Sequence, residues 1–161
     1  MSRKYTAAIV GCGGIGHAHM EGYEQFDNIE VIGAVDPIET AREQYREAFG
    51  IPHAFESVEA MMAEIKPDIV SVCVWHLLHP DMTIAAAKGG AKAVICEKPM
   101  SIGVGDAEKM IEACDATGTK LVISHQRRFT PGYERARQMI RDGVIGEPNW
   151  VNCTVAEGLT N

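Results

Sequence analysis

The sequence predicts an α/β fold, a doubly wound parallel sheet of about six strands in the order 3-2-1-4-5-6, followed by the start of a second, mainly antiparallel α+β domain. Three observations carry this expectation. Short apolar runs alternate with longer stretches of helical periodicity, the pattern of βα units. A glycine-rich turn follows directly on the first run. Near the C-terminus the apolar spacing changes from that of a helix to strict alternation.

The expected strands are the apolar runs at 7–10, 31–35, 69–74, 93–96 and 121–124. After the first run, Ile15, Ala18, Gly22 and Phe26 are spaced to form the inward face of a helix. Ala41, Tyr45, Ala48 and Phe49 mark a second stripe, Val58, Met61, Met62 and Ile65 a third, and Val104, Ala107, Ile111 and Cys114 a fourth. Pro37, Gly50 and Pro67 fall near element ends, where they punctuate without breaking anything. The stretch 131–143 reads as a further helix with Tyr133, Ala136 and Ile140 facing inward and a glycine at its end. In 150–156, Val151, Cys153 and Val155 alternate with Asn152 and Thr154, as in the first strand of an antiparallel sheet with one wet face. No partner strand is evident, so the second domain is expected to be truncated. The boundary is expected at 125, with a parallel-sheet domain over 1–125 and the beginning of a C-terminal domain over 126–161.

Length and composition agree with a globular protein. The 161 residues are 46% hydrophobic and 23% charged, with no apolar run long enough to span a membrane. The N-terminus leads straight into a strand and lacks the pattern of a signal peptide, which points to the cytoplasm. Cys12, Cys73, Cys96, Cys114 and Cys153 are too irregularly spaced for a disulfide framework or a zinc ribbon. A net charge of −7 excludes a nucleic-acid partner that works through a surplus of cations. The charge is uneven: residues 1–120 hold 10 basic and 18 acidic side chains, residues 121–161 hold 5 and 4.

Gly11, Gly13 and Gly16 form GxGxxG between the first expected strand and the first expected helix, with Gly14 and Ile15 inside the turn. The first glycine permits the turn, the second lets the backbone approach a pyrophosphate, and the third lets helix and strand pack closely. The free N–H groups and partial positive charge of the helix start then face the phosphates. This is the fingerprint of a Rossmann dinucleotide site, and no GxxxxGK[ST] pattern offers an NTP-binding alternative. Asp36 ends the second run, where a carboxylate can accept from the adenosine ribose hydroxyls; it can also cap the helix after Pro37. Its charge repels a 2′-phosphate, and the nearest arginine, Arg42, lies a turn or more into the next helix, so NAD is expected over NADP. Glu97, Lys98 and Pro99 follow the 93–96 run, at the carboxyl edge where such sheets place their ligands.

GCGGIG, Asp36, AVICEKPM and QRRFTP occur in the order and spacing of the glucose-fructose oxidoreductase and inositol dehydrogenase (Gfo/Idh/MocA) family, which the chain resembles over essentially its whole length. The resemblance implies an NAD(P)-binding Rossmann domain followed by a substrate and oligomerisation domain. It implies hydride transfer between a nicotinamide and a secondary alcohol or ketone of a sugar, cyclitol or similar polyol. Lys98 is then the catalytic residue, orienting the reacting hydroxyl and helping to move its proton, and Glu97 a ligand of the nicotinamide ribose. Arg128 resembles the family's RF motif near the domain junction, where the resemblance leaves open contact with cofactor, contact with substrate or a tie between the two domains, and His79 matches the family histidine after the fourth strand, among the cofactor-binding candidates. There the chain departs from the pattern. Trp75 and His76 replace small or amide residues, and Trp75 either covers a face of the cofactor or packs between strand and helix. His17, His19, His76 and His79 lack the carboxylate or cysteine neighbours of a metal set, so no metal is expected. A homo-oligomer is left open as a partner. Two other readings are a non-catalytic NAD-responsive regulator, a different class that uses the same fold, and an NAD-dependent glycosidase of the same family. The chain alone is expected to bind cofactor without turnover.

Overall fold

The computed structural model describes residues 4–154. The chain divides into two compact units, Met1–Ser124 and His125–Asn161. In the first, β1 (Tyr5–Val10), β2 (Ile29–Val35), β3 (His53–Phe55), β4 (Ile69–Val72), β5 (Ala93–Cys96) and β6 (Lys120–Ile123) form one parallel sheet in the order β3-β2-β1-β4-β5-β6. The short β3 has no apolar run of its own in the sequence. Cys73 and Val74 lie past the end of β4, although the Cys73 N–H still donates to the Val10 carbonyl at 2.7 Å.

Both faces of the sheet are covered, so successive residues of β1 are buried on opposite sides. Ala8 and Val10 join the core beneath α3 (Val58–Glu64), α4 (His79–Gly89) and α5 (Val104–Thr117). Ala7 and Ile9 join the core beneath α1 (Gly14–Tyr23) and α2 (Glu39–Phe49). The α3 stripe is as the spacing requires: Val58, Met61 and Met62 are buried and Ile65 packs at their edge. Ser57 caps that helix by accepting from the Ala60 N–H, and Gly50 ends α2 at φ 64°.

Three other helix faces differ from expectation. In α1, Ile15, Ala18 and Gly22 are exposed, as is Phe26 past its end, and Gly16, Met20 and Tyr23 face the sheet. The phase of this helix is set by Gly16, whose missing side chain lets the first turn lie against the glycine loop. In α5, Val104 and Ile111 are 77% and 47% exposed, and Met110 and Cys114 carry the inward face with Ala107 at its flank. In α2, Tyr45 is buried with Ala41 and Phe49 beside it, and Ala48 is exposed.

In the second unit, α6 (Pro131–Arg141) forms as a helix, but Tyr133, Ala136 and Ile140 are exposed. Residues 150–154 have no regular structure and are exposed, in place of the expected strand. Alternation alone does not make a strand: its ladder needs a partner, and among the described residues this segment has none. Val155 and Ala156 lie outside the described residues.

Candidate cofactor-binding site

The carboxyl ends of β1, β2, β4 and β5 lie side by side, which brings the glycine turn, Asp36, the segment after β4 and the Glu97–Lys98 corner to one edge of the sheet. Gly11 has φ 99°, and a Cβ there would stand 2.6 Å from the Cys73 carbonyl oxygen. On Gly16 a Cβ would stand 2.2 Å from the Gly11 oxygen. Gly13 and Gly14, by contrast, meet nothing within 4 Å, so the turn presents bare backbone on one side and is filled on the other. The start of α1 has no side-chain cap and no acidic residue in its first turn, which leaves its N–H groups for an anion. A dinucleotide pyrophosphate fits this cradle.

Tyr45 secures the turn from α2, donating its phenol hydrogen to the Gly16 carbonyl at 2.7 Å. His17 lies edge-on to the Tyr45 ring at 4.8 Å, and its Nδ1 is 2.9 Å from the Gly13 oxygen. Nothing in the glycine motif announces this anchor; its only trace in the sequence is a tyrosine on the inward stripe of the next helix.

Asp36 is tied down through both oxygens. Oδ2 accepts from the Cys12 N–H at 3.1 Å and Oδ1 from the Ile38 N–H at 2.9 Å. The carboxylate thus holds the glycine turn and the approach to α2 together, and each oxygen keeps a lone pair for a further donor. Burial, reinforced by the Asp36 charge, pushes the Cys12 thiol up to about 12, so this cysteine stays neutral. Arg42 is closer than its place in the sequence suggests: Nη1 donates to the carbonyls of Asp36 and Pro37, each at 3.3 Å. One turn of helix carries the guanidinium back to the end of β2.

Glu97 is 5% exposed and Lys98, next to it, is exposed. The two do not pair through their side chains. Glu97 Oε1 lies 3.1 Å from His19 Nε2, and Oε2 accepts from the Lys98 backbone N–H at 3.2 Å. Burial pushes this carboxyl up, but hydrogen bonds from His19, Ser124 and the Lys98 N–H outweigh it and hold it below the usual range. His19 Nδ1 is 3.1 Å from Ser71 Oγ, which is in turn 2.8 Å from Tyr23 Oη. In the sequence His19 offers only a metal-ligating imidazole, and its sole further signal is a place three residues after Gly16, beside the Gly16/Met20/Tyr23 stripe.

His79 is 1% exposed, with Nδ1 2.7 Å from the Pro99 carbonyl and Nε2 3.1 Å from the Val74 carbonyl. Its ring ties the end of β4 to the Glu97–Pro99 corner rather than lining an open surface. Trp75 is 66% exposed and tilted against His76 at 4.6 Å, so it does not pack between strand and helix. Arg128 belongs to the second unit, where it lines a shallow depression with Arg127, Tyr133 and Arg137. Among the described residues no three metal-ligating side chains converge, and no helix is long and apolar enough to cross a membrane.

Comparison with known proteins agrees with this arrangement. Residues 5–125 match the model of the GFO_IDH_MocA oxidoreductase family, NAD-binding Rossmann fold. The chain is 28% identical to D-apiose dehydrogenase of Paraburkholderia graminis, across 92% of this chain and 39% of that protein. It is 32% identical to 2,7-anhydro-N-acetylneuraminate hydratase of Escherichia coli, across 86% and 36%. The structure of the WlbA dehydrogenase of Bordetella pertussis, in complex with NADH and UDP-GlcNAcA, superposes with a TM-score of 0.83 at 30% identity, across 88% of this chain and 43% of that one. The chain therefore spans well under half the length of these relatives. With the family model matched from the first strand to the end of the sheet, the chain belongs to the Gfo/Idh/MocA oxidoreductase family and carries its NAD-binding Rossmann domain.

Proposed function

We propose that these 161 residues supply the cofactor half of an NAD-dependent oxidoreductase that acts on a secondary alcohol or ketone of a sugar, cyclitol or similar polyol. The observation that carries the reading is the corner after β5, where a buried, ionised Glu97 directly precedes an exposed Lys98 on the edge that also holds the glycine turn. Relatives named for apiose and myo-inositol, and the WlbA dehydrogenase in complex with UDP-GlcNAcA, support the substrate class.

When bound, the nicotinamide accepts or donates the hydride. In this reading the N–H groups of the glycine turn and α1 bind the pyrophosphate, and the spare lone pairs of Asp36 accept from the adenosine ribose hydroxyls. Glu97, kept ionised, accepts from the nicotinamide ribose. Trp75 shields a face of the cofactor from water, and His79 acts indirectly by holding Pro99 in place. The Lys98 amine hydrogen-bonds the reacting hydroxyl and moves its proton, which contributes only if the group is positioned at that oxygen. The domain beginning at residue 126 reads the substrate.

The test is calorimetric titration of the chain with NADH, then assay of the longer protein with NAD and a panel of polyols. NADH formation with one of them is the expected result; a chain that binds no NADH would overturn the reading. A second reading has its own support, since the Escherichia coli relative is named a hydratase, a reaction with no net oxidation. Product release without NADH accumulation would favour it.

A further inference from the structure

We propose that His19 is a positioning residue for the Glu97–Lys98 corner: its imidazole is the link by which a buried hydrogen-bond chain from Tyr23 and Ser71 holds the Glu97 carboxylate in place. The inference rests on the reading of Glu97 as a ligand of the nicotinamide ribose.

Tyr23 lies on the inward face of α1, and burial pushes its phenol up to about 12, so it remains an O–H donor. Ser71 is fully buried in β4. With Glu97 ionised, the bond at 3.1 Å requires an N–H on His19 Nε2. The neutral tautomer with that proton leaves Nδ1 as an acceptor. Tyr23 then donates to Ser71, Ser71 to His19 Nδ1, and His19 Nε2 to Glu97 Oε1. In that tautomer every donor has an acceptor.

The other end of the carboxylate is also held. Oε2 accepts the Lys98 N–H at 3.2 Å. The carboxylate cannot rotate without breaking one of these contacts, and the Lys98 backbone follows it. The groups facing Glu97 are His19 and, beyond it, Tyr23 from α1, Ser71 and Cys73 from β4 and its end, Cys96 from β5, and Ser124 after β6. Burial pushes the Cys73 thiol up and brings Cys96 to about 11, so neither thiol carries charge near neutral pH. The chain has a spatial consequence as well. α1 starts at the glycine turn, and Glu97 follows β5 across two strand spacings; His19 joins these two halves of the cofactor edge.

The test compares His19→Leu, His19→Gln, Glu97→Gln and the His19→Leu/Glu97→Gln double variant in the 161-residue chain. The Glu97 carboxyl is followed by carbon NMR against pH without cofactor, and NADH affinity by calorimetry. His19→Leu should raise the Glu97 titration midpoint, because burial is then less opposed, and weaken NADH binding by about tenfold or more, the worth of one hydrogen bond to a charged group. His19→Gln, whose amide N–H can reach toward Oε1, should recover most of both. The double variant should bind no more weakly than Glu97→Gln alone. An unmoved midpoint, or losses that simply add, would overturn the proposal. If His19→Leu does not fold, Ser71→Ala carries the same test, with a smaller rise in the midpoint expected and none overturning. Should the midpoint respond while the unmodified chain binds no NADH, the cofactor reading fails and the positioning role with it.

Discussion

The backbone of Gly16 lies so close to that of Gly11 that a Cβ on Gly16 would stand 2.2 Å from the Gly11 carbonyl oxygen. This closeness brings α1 against the end of β1, turns Met20 and Tyr23 inward, and leaves Gly13 and Gly14 facing open space. The three glycines of the motif therefore do different work, and substitution separates them.

Gly16→Ala should destabilise the chain by about 1–3 kcal/mol or more, because the new methyl meets backbone that cannot step aside. Gly13→Ala has room and an ordinary φ of −84°, so it should leave the melting temperature nearly unchanged and weaken NADH binding. Thermal melts with calorimetry check this pair; equal melting temperatures for the two variants would contradict the account of the turn.

The chain should bind NADH more tightly than NADPH, and Asp36→Ala should narrow the gap. The carboxylate repels a 2′-phosphate and accepts from a 2′-hydroxyl, whereas Arg42, bonded to the Asp36 and Pro37 carbonyls, stays nearby when Asp36 is gone. Removing Asp36 also frees the Cys12 and Ile38 N–H groups, so a modest loss of stability should accompany the change. Equal or tighter NADPH binding by the unmodified chain would refute it.

In the longer protein, Lys98→Met should cut kcat severely and leave NAD affinity within a few-fold. Lys98 is exposed at the edge, and its amine is no part of the packing around Glu97, so its removal should be felt mainly in the transition state. Normal turnover in the variant would take Lys98 out of the mechanism.

Glu97 makes stability depend on acid. Its folded carboxyl sits below the ordinary value of 4.5, so its contribution is fully present above that value and is lost as pH falls through the folded value. Melting temperatures from pH 7 to pH 3 should fall more steeply for the unmodified chain than for Glu97→Gln. Parallel curves would show that Glu97 is not held ionised by its partners.

The inward face of α5 can be tested by neighbours in sequence. Met110→Ala should cost about 2–5 kcal/mol in urea unfolding, as for a buried methionine, and Ile111→Ala no more than about 0.5 kcal/mol. Met110 is 0% exposed and Ile111 is 47% exposed. The reverse order would restore the stripe read from the spacing.

By itself the sequence determined five of the six strands, the glycine turn and the places of Asp36 and the Glu97–Lys98 corner at strand ends, because each is written in local periodicity or in a motif of contiguous residues; β3, a three-residue edge strand, left no such mark. Helix phase was less legible. Gly16, Met20 and Tyr23 are a weaker hydrophobic stripe than Ile15, Ala18, Gly22 and Phe26, yet close backbone packing at Gly16 overrides hydrophobicity. Only the tertiary structure decided that Tyr45 anchors the turn, that Arg42 folds back to the end of β2, and that His79 is spent on two carbonyls. It alone joined His19 to Glu97, which are 78 residues apart. The physical reason is that hydrogen bonds between side chains on different elements depend on sheet order and helix phase together, and neither partner carries a sign of the other in its own stretch of chain.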